Sequence, residues 1–414
     1  MVRYDALIVG AGPAGSTVAE RLARRGHRVL VVEEHARVGY PVQCAGLVSR
    51  RVLDLAGEDD YVRLPVRGAS VFGPGLRSIS FKAPEPRAYV IDRGALDVHL
   101  ADRAARAGAE FRTGTTFRRR GLGSPDGEAV ELGGGGPDGS SVTARVVVGA
   151  DGVASAVARA YRLRRPVEIL PAFEAEFPNS PGDPETVEVY LGRTISPGLF
   201  GWWIPDGSGG GRVGVAVDAD GTSARAYFDR LVDHLARRFG TRLANPTGYL
   251  VSGIPIGDVP RTHTDRCVLV GDAAAQVKPL SGGGIFTGMR CAELAAGVLD
   301  RALRADDLSA ASLAEYEQKW RAEFGEEFRR ALYLRRVLAR LTDADLDALV
   351  DALRGGRLAP TIVAFGDIDF PTHVVRRLLS ESPSLVRLFP KALGAWLGGA
   401  DYRAPALDFD VRRK

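Results

Sequence analysis

The first thirty-five residues alternate between continuous apolar runs and a helical apolar pattern. Residues 6–9 form a short apolar run, which is typical of a parallel strand buried on both faces. A helical pattern follows, with Val18 and Leu22 on one face, and it ends at Gly26. Residues 29–32 are a second apolar run. This order predicts a strand, a glycine turn, a helix and a second buried strand.

Further strands and helices are predicted downstream. Residues 146–148 and 267–270 are apolar runs like the first two, and a helix is expected from Ile285 to about Leu303. Residues 167–254 are rich in strand formers broken by turns, which indicates an antiparallel sheet. Its strand-like runs are 187–190, 199–204, 213–217 and 249–256. The last hundred residues follow a mostly helical pattern.

The turn after the first strand has the spacing Gly-x-Gly-x-x-Gly, formed by Gly10, Gly12 and Gly15. The first glycine permits a tight turn, the second lets a pyrophosphate approach the backbone, and the third lets the helix pack closely on the strand. Free N–H groups at the helix start would then face the phosphates. Glu33 ends the second strand, where a carboxylate can accept hydrogen bonds from a ribose. Together with Ala14 in the turn, these residues predict a dinucleotide site.

Three later segments bear on which dinucleotide is bound. Residues 146–152 form an apolar strand ending in Gly-Ala-Asp-Gly, and residues 267–274 form another ending in Gly-Asp. Residues 279–285 place three glycines at the start of the predicted helix. The glycine run at 133–139 lies among polar and turn residues and predicts a hairpin loop, not a second Gly-x-Gly-x-x-Gly unit. A dedicated nicotinamide domain is therefore not expected.

These three segments resemble the FAD-binding fold of the flavin hydroxylase class. The resemblance implies that Asp272 binds the ribityl chain of FAD and that Asp151 is a further cofactor contact. It also implies that Gly283, Gly284 and Ile285 face the pyrimidine edge of the flavin. A helix N-terminus at that edge would offset the negative charge of a reduced flavin. FAD is thus the expected cofactor.

A more specific resemblance is to the geranylgeranyl reductase family. Residues 41–46, Pro-Val-Gln-Cys-Ala-Gly, resemble the family's Pro-x-x-Cys-Gly signature, with Ala45 in place of the usual glycine. Residues 200–205 resemble its aromatic-x-Trp-x-Phe-Pro motif, with Ile204 replacing Phe. Residues 278–285 resemble its proline and triple-glycine turn. The resemblance covers most of the chain.

The family resemblance assigns residues to the flavin and to the substrate. It implies that Cys44, Ala45, Gly46 and Arg93 approach the FAD. Cys44 is the catalytic candidate, because a thiol beside the flavin ring could deliver a proton or shape the product. The predicted sheet would stand over the flavin. Its candidate substrate contacts are Tyr190, Phe200, Trp202 and Trp203.

Members of this family saturate isolated double bonds of prenyl chains carried by lipids or prenyl diphosphates. The reaction adds a hydride from flavin N5 and a proton. Protonation of the alkene would develop carbocation character, so water must be kept away, and a narrow apolar tunnel would exclude it. The expected partners are a prenyl lipid or prenyl diphosphate and an external electron donor such as NAD(P)H or ferredoxin. No nucleic acid is expected.

The expected architecture is α/β and similar to that of the flavin hydroxylases. A Rossmann-type FAD-binding domain is predicted from residues 1–66, 87–160 and 255–305. An antiparallel-sheet substrate domain is predicted from residues 67–86 and 161–254. A C-terminal helical region is predicted from residues 306–414.

Composition and charge exclude several classes. Hydrophobic residues make up 45% and charged residues 26% of the 414 positions, with a net charge of +4, which is the balance of a folded globular chain. The three cysteines and six histidines are scattered, so no metal site is predicted. The chain enters a strand-like run at once and leaves no room for a signal peptide, so a cytoplasmic location is expected.

Membrane contact is expected only at the periphery. No stretch of about 20 apolar residues occurs. Between residues 329 and 341, leucines at helical spacing alternate with arginines, which is typical of a solvated helix or of a helix on a membrane surface. Residues 385–397 are a second amphipathic candidate. A lipid substrate would favour contact with the inner face of the membrane.

Two other functions fit parts of the same pattern. One is an oxygen-using monooxygenase or halogenase of the same fold: residues 200–205 resemble the halogenase Trp-x-Trp-x-Ile-Pro motif, and Lys82 lies where halogenases carry a catalytic lysine. Residues 83–86 after it favour an exposed turn instead. The other is a prenyl-chain carrier without redox activity. A carrier would have no use for the complete set of FAD motifs.

Overall fold

The computed structural model of the protein describes residues 3–57, 60–124, 127–134, 141–163, 168–178, 182–218, 220–243, 245–355, 358–382 and 385. The strands, in chain order, are β1 (Arg3–Val9), β2 (Val29–Val32), β3 (Leu47–Val48), β4 (Val62–Val66), β5 (Gly68–Phe72), β6 (Ser78–Lys82), β7 (Ala88–Ile91), β8 (Glu110–Arg112), β9 (Thr116–Ser124), β10 (Gly127–Gly133), β11 (Ser141–Gly149), β12 (Glu168–Phe177), β13 (Thr186–Tyr190), β14 (Phe200–Pro205), β15 (Gly211–Ala216), β16 (Thr247–Ile256), β17 (His263–Thr264) and β18 (Cys267–Leu269).

Helices alternate with these strands in the first half of the chain and dominate the second half. They are α1 (Pro13–Ala23), α2 (Arg50–Ala56), α3 (Arg93–Arg106), α4 (Ala156–Ala160), α5 (Ala224–Phe239), α6 (Ile285–Ala305), α7 (Ala310–Trp320), α8 (Glu326–Leu338), α9 (Asp343–Gly355), α10 (Ala359–Phe365) and α11 (Pro371–Glu381). A 3₁₀ turn covers Gly271–Ala274, and a π-helical turn, Arg321–Gly325, joins α7 to α8.

An eight-stranded sheet forms the base of the α/β unit. Its order is β17-β18-β11-β1-β2-β8, and β10 and β9 extend it from β11. Neighbours from β18 to β8 are parallel. The predicted runs at 6–9, 29–32, 146–148 and 267–270 supply the centre of this sheet, and all of them are buried. A strand covered on both faces needs such a continuous apolar run.

Helices α1, α3 and α6 cover one face of the eight-stranded sheet. Their inward sides share one core, in which Ala19, Ala292 and Ala296 are fully buried. Small side chains let two helices approach closely, so α1 and α6 pack directly against each other. The start of α6 is thereby held beside the glycine turn that precedes α1.

The second sheet has seven strands in the order β16-β12-β15-β14-β13-β5-β6. Strands β13, β14, β15 and β16 overlap the predicted runs at 187–190, 199–204, 213–217 and 249–256. Its neighbours are antiparallel except β13 and β5, which run parallel. The strands between residues 168 and 256 pair antiparallel, as predicted; β5 comes from a distant part of the chain, so no hairpin fixes its direction, and it joins β13 in parallel. Helix α5 covers one face of the sheet.

The interpretation of residues 329–341 as an amphipathic helix with a solvated face needs correction at one position: Arg329, Arg336 and Arg340 are exposed, but Arg335 is not. Arg335 of α8 is buried, and its guanidinium donates hydrogen bonds to Glu168 at 2.7 Å and Asp218 at 2.6 Å. Leu334 is buried in a core with α11, and Leu338 lines the main cavity. The apolar side of α8 therefore points inward.

The described part of the chain does not show membrane contact. None of the helices there is both long enough and apolar enough to cross a bilayer. The second amphipathic candidate, 385–397, lies outside the described residues except for Leu385, which is buried.

Candidate active site

A cavity of about 1120 Å³ extends from the glycine turn after β1 to the seven-stranded sheet and the C-terminal helices. This volume exceeds the roughly 300–1,000 Å³ of an ordinary ligand pocket. One end is lined by the turn at 10–14 and by Glu33, and the middle by residues 39–47 and 270–285. The far end is lined by apolar residues of β5, β13, β14, α10 and α11. The cavity thus joins a polar end to an apolar end.

The glycine turn leaves no room for side chains. Gly10 has φ +99°, and a Cβ there would lie 2.4 Å from the carbonyl oxygen of Ala150. A Cβ on Gly15 would lie 2.0 Å from the carbonyl oxygen of Gly10. Helix α1 begins immediately after Gly12, so its first N–H groups point toward the cavity without partners within the helix. The two clashes explain why this spacing of glycines is needed.

Ala14 and Glu33 complete this end of the cavity. The Ala14 methyl packs close to Gly271 and Gly288. A Cβ on Gly271 would lie 3.0 Å from this methyl. Glu33 accepts hydrogen bonds from the Ala11 N–H at 2.9 Å and from the His35 N–H at 3.0 Å. These bonds fix the Glu33 carboxylate at the cavity edge, in the position expected for a ribose contact.

Asp151 borders the cavity, but its carboxylate is engaged elsewhere. One oxygen accepts the Ser155 hydroxyl at 2.7 Å, and the other accepts the N–H groups of Ala156 and Val157 at 2.6 and 3.0 Å. These are the bonds of a residue that holds the first turn of α4. The sequence assigned Asp151 to the cofactor; the structure gives its carboxylate this local role.

The Asp272 turn is held by buried polar side chains that the sequence analysis missed. Gln276 accepts the Gly271 N–H at 2.8 Å and donates to the Tyr316 hydroxyl at 2.7 Å. The Tyr316 hydroxyl in turn donates to the Leu269 carbonyl at 2.9 Å. Burial raises the pKa of Asp272, which lines the cavity. An isolated glutamine in an apolar stretch was the only sequence signal for this network.

The triple glycine lies between this turn and α6. A Cβ on Gly284 would lie 2.9 Å from a carboxylate oxygen of Asp272, and a Cβ on Gly283 would lie 2.8 Å from Lys278 Cε. Ile285 is the first residue of α6, as predicted. The backbone here is therefore open to the cavity, with the free N–H groups of a 21-residue helix behind it.

Cys44, Arg93 and Asp97 form a charged cluster in the middle of the cavity. Arg93 Nη2 donates to Asp97 Oδ2 at 2.8 Å, and Arg93 Nε is buried without a partner among the described residues. Burial raises the pKa of Asp97 to about 6, and it also raises the pKa of the Cys44 thiol, against the opposing effect of Arg93. Cys44 therefore keeps its proton at neutral pH.

Ala45 and Gly46 connect this cluster to the sheet. Arg212 of β15 donates to the Ala45 carbonyl at 2.7 Å and to the Ile91 carbonyl at 3.2 Å. Gly46 has φ +71°, and a Cβ there would lie 2.5 Å from the Arg212 guanidinium. The Cys-Ala-Gly turn is thus anchored under the seven-stranded sheet.

The aromatic candidates divide between the two faces of the sheet. Phe200 and Trp202 line the cavity. Trp203 is 1% exposed and Tyr190 is fully buried, and both belong to the core under α5. Successive strand residues point to opposite faces, so Trp202 and Trp203 cannot both face the cavity. The prediction of Tyr190 and Trp203 as substrate contacts was wrong.

An ion network whose inner pair, Lys278 and Asp369, is buried lies at the cavity on the side of the C-terminal helices. Lys278 Nζ donates to Asp369 and to the Ile368 carbonyl, both at 2.8 Å. Arg51 donates to the other oxygen of Asp369 at 3.1 Å and pairs with Asp367 at 2.8 Å. The loop between α10 and α11 is thereby tied to the triple-glycine turn. The residues of this network are far apart in the sequence, so the link could not be predicted from it.

Lys82 lies outside the cavity. Its side chain is 49% exposed and pairs with Glu185 at 2.7 Å. Lys82 is the last residue of β6 and precedes the turn predicted at residues 83–86. A catalytic lysine of the halogenase kind would have to reach the cavity, and this one does not.

The residues at the polar end and the middle fit FAD. The glycine turn offers backbone where side chains would block a pyrophosphate, and the start of α6 offers N–H groups. Arg93 lines the same space, with Nη2 4.0 Å from the position that a Cβ on Gly12 would occupy. The residues that would hold FAD are Gly10, Gly12, Ala14, Gly15, Glu33, Arg93, Asp272, Gly283, Gly284 and Ile285.

Comparisons with known proteins agree with this assignment. The family model described as FAD binding domain matches residues 3–328. The chain is 34% identical over 399 residues to digeranylgeranylglycerophospholipid reductase 2 of Methanothermobacter thermautotrophicus, covering 94% of this chain and 99% of that one.

Two solved structures extend the comparison. A geranylgeranyl bacteriochlorophyll reductase-like protein of Thermoplasma acidophilum has a TM-score of 0.83 at 26% identity, over 95% of this chain and 100% of that one. The flavin-dependent halogenase CmlS has a TM-score of 0.67 at 22% identity, over 96% of this chain and 78% of that one, which shows a shared fold alone. The fold class and the FAD cofactor expected from the sequence are confirmed. The chain belongs to the digeranylgeranylglycerophospholipid reductase family of FAD-binding flavoproteins.

Proposed function

We propose that this protein is an FAD-dependent reductase that saturates isolated double bonds in the geranylgeranyl chains of lipids. The observation that carries the proposal is the continuity of the cavity: the FAD cradle opens directly into a wall of apolar side chains. Val71, Val187, Val189, Ile362 and Val375 are among the residues that line the apolar end. Burial of a prenyl chain there contributes about 0.8 kcal/mol per CH₂ group.

Saturation of one C=C bond needs a hydride and a proton. Reduced FAD supplies the hydride when it is bound. Cys44 would supply the proton, because its thiol is neutral and lines the cavity. The proton leaves Sγ for one alkene carbon, and a thiolate remains. The nearby Arg93 guanidinium is the cation that stabilises this thiolate.

The apolar walls keep water from the reacting carbons. An alkene carbon that gains positive charge would be captured by water if water were present. The Lys278 and Arg51 ion network holds Ile368 against the cavity, which helps to close this side. Polar groups of the network bond to one another, so they do not hydrate the cavity.

A monooxygenase or halogenase of the same fold is the second candidate. It is favoured only by the shared fold with CmlS and by the motif at 200–205. Lys82, the residue offered for halogenation, is outside the cavity. A carrier without redox activity would not need the complete FAD cradle. The reductase therefore accounts for more of the site.

The partners follow from this function. A geranylgeranyl lipid is the substrate, and an external electron donor such as NAD(P)H or ferredoxin must reduce the flavin. Peripheral contact with the inner face of the membrane would let the lipid chain enter the cavity directly. Flotation of the purified protein with anionic vesicles would test that contact.

The decisive experiment is anaerobic incubation of the dithionite-reduced holoenzyme with geranylgeranyl lipids, followed by product masses. We expect a gain of about two mass units per saturated bond, with no incorporation of oxygen or halide. In the Cys44→Ala variant, turnover should fall about a hundredfold while FAD absorption is retained.

Two outcomes have separate meanings. Products that contain oxygen or halide, or unchanged lipid masses, would contradict the reductase. A Cys44→Ala protein with the rate and product pattern of the wild type would contradict only the role of Cys44. The Cys44→Ser variant, which keeps a smaller donor at the same place, is the matched control.

A further inference from the structure

We infer that Glu174 is a positioning residue for this reduction: its carboxylate fixes the Trp202 indole and increases the electron density of that ring. The ring then faces the alkene carbon while positive charge develops there. The inference rests on the proposed function, because Trp202 touches substrate only if the prenyl chain fills the cavity. Glu174 lies behind the cavity wall, and no sequence motif marks it.

The two side chains meet across an intervening strand. Trp202 of β14 is in register with Gly214 of β15, and Gly214 is in register with Glu174 of β12. Trp202 Nε1 donates to Glu174 Oε2 at 2.7 Å. A Cβ on Gly214 would lie 2.4 Å from the Trp202 ring. Gly214 therefore lets the indole lie flat across β15 and reach the carboxylate.

Glu174 lies on the cavity side of the sheet, not on the α5 side. Its neighbours Phe173 and Ala175 point into the core under α5, so alternation turns Glu174 to the opposite face. It is only 3% exposed. Ala172 on the same strand and Leu250 on the paired strand β16 line the cavity. Burying a carboxylate is costly unless it is hydrogen-bonded, and the Trp202 indole N–H supplies such a bond.

Few charged groups face the carboxylate. Arg212 of β15 and Glu176 of β12 act on it through space, and Glu174 itself acts on Cys44 of the turn below. Burial raises the pKa of Glu174 to about 7, against the opposing effects of the Trp202 bond and Arg212. The carboxylate is therefore partly ionised at neutral pH and gains charge as the pH rises through about 7.

The chemical consequence concerns the face of the ring. A hydrogen bond from an indole N–H to a carboxylate is charge-assisted and shifts electron density into the ring. The negative face of tryptophan attracts cations more strongly than that of other aromatic side chains. Where the prenyl chain fills the apolar part of the cavity, this attraction acts at low dielectric. The pair thus favours a transition state in which the alkene carbon is electron-poor.

A spectroscopic experiment tests the pair without turnover. The holoenzyme labelled with ¹⁵N-tryptophan has four indole N–H groups, and Trp202→Phe identifies the signal of Trp202. We expect that signal to titrate with a midpoint near 7 and the titration to vanish in Glu174→Gln. A Trp202 signal that is constant between about pH 5 and pH 9 would overturn the coupling.

Kinetics test the catalytic consequence. Glu174→Gln keeps an acceptor oxygen but removes the charge, so kcat should fall about tenfold while KM changes by less than about twofold. The rise of kcat through pH 7 should disappear in this variant. Glu131→Gln is the matched control: it makes the same charge change on a strand, but its side chain is 40% exposed on β10 and pairs with Arg119, outside the cavity. Its kcat should equal that of the wild type.

A double variant separates polarisation from packing. If Glu174 acts through the indole N–H, then Glu174→Gln should have little effect on kcat once Trp202→Phe is present. Full additivity of the two losses would overturn the inference, as would an unchanged kcat in Glu174→Gln. If no prenyl chain is reduced at all, the proposed function fails, whereas the NMR titration still decides whether the pair is coupled.

Discussion

The FAD cradle and the cavity wall above it are built from different parts of the chain. The cradle is backbone: Gly10, Gly15 and Gly284 stand where a single Cβ would collide with another element. The wall is side chains: Trp202 of β14 and Glu174 of β12 meet across the intervening strand β15, and Lys278 reaches a loop some ninety residues away. A backbone site tolerates almost no substitution, whereas a side-chain site can change its chemistry without losing its fold.

The largest effect should come from the cradle. In Gly15→Ala, the new methyl would lie 2.0 Å from the Gly10 carbonyl oxygen, so the turn or α1 must move. We expect FAD affinity to fall at least about a hundredfold, and the purified protein to lack the visible absorption of flavin.

Gly297→Ala is the control for that change. Gly297 lies within α6, and a Cβ there meets nothing within 4 Å. This variant should retain FAD and be as stable as the wild type or more so, by up to about 1 kcal/mol. Tight FAD binding by Gly15→Ala would show that the cradle is less constrained than its geometry indicates.

The glycines of the cradle are marked in the sequence for a physical reason. Gly10 has a positive φ beside the Ala150 backbone, and a Cβ on Gly15 would collide with the Gly10 carbonyl, so both positions require glycine and are recognisable by type and spacing. The buried parallel strands at 6–9 and 29–32 were also marked by composition, because both of their faces are covered. In these elements local sequence and tertiary structure impose the same requirement.

The wall could be predicted only in part. Neighbouring residues of a strand point to opposite faces, so only one of Trp202 and Trp203 can face the cavity. Which of the two lies in the core depends on the face of the sheet against which α5 packs, and the sequence does not show that. Glu174 and Asp369 are ordinary acidic residues in the sequence. Only the register of β12 with β15, and the return of the loop after α10, bring them to the cavity.

The two tryptophans sharpen the contrast. Trp203 fills the core under α5, and a Cβ on Gly182 or Gly211 would lie 2.2 or 2.6 Å from its ring. Trp203→Ala should therefore lower the free energy of unfolding by about 3–5 kcal/mol without altering which double bonds are reduced. Trp202→Ala opens the cavity wall and should cost less stability while changing the product pattern.

Denaturant unfolding and product masses together measure both effects. Phe substitutions at the same two positions are the milder controls, because they keep most of the ring. If Trp203→Ala changed the product pattern while Trp202→Ala did not, the assignment of the two sheet faces would have to be reversed.

The smallest effect should be at Lys82, which the halogenase alternative would make essential. Its ammonium is exposed beside Glu185, and an exposed ion pair contributes little. Lys82→Ala should therefore reduce geranylgeranyl lipids at a rate within about twofold of the wild type, measured anaerobically with the dithionite-reduced holoenzyme. A halogenase would lose its activity in this variant and would need oxygen and halide in the wild type. Lys82 ends an edge strand, and the sheet residues that line the cavity separate this lysine from it. A strong loss of activity in Lys82→Ala would therefore mean that the reaction occurs outside this cavity.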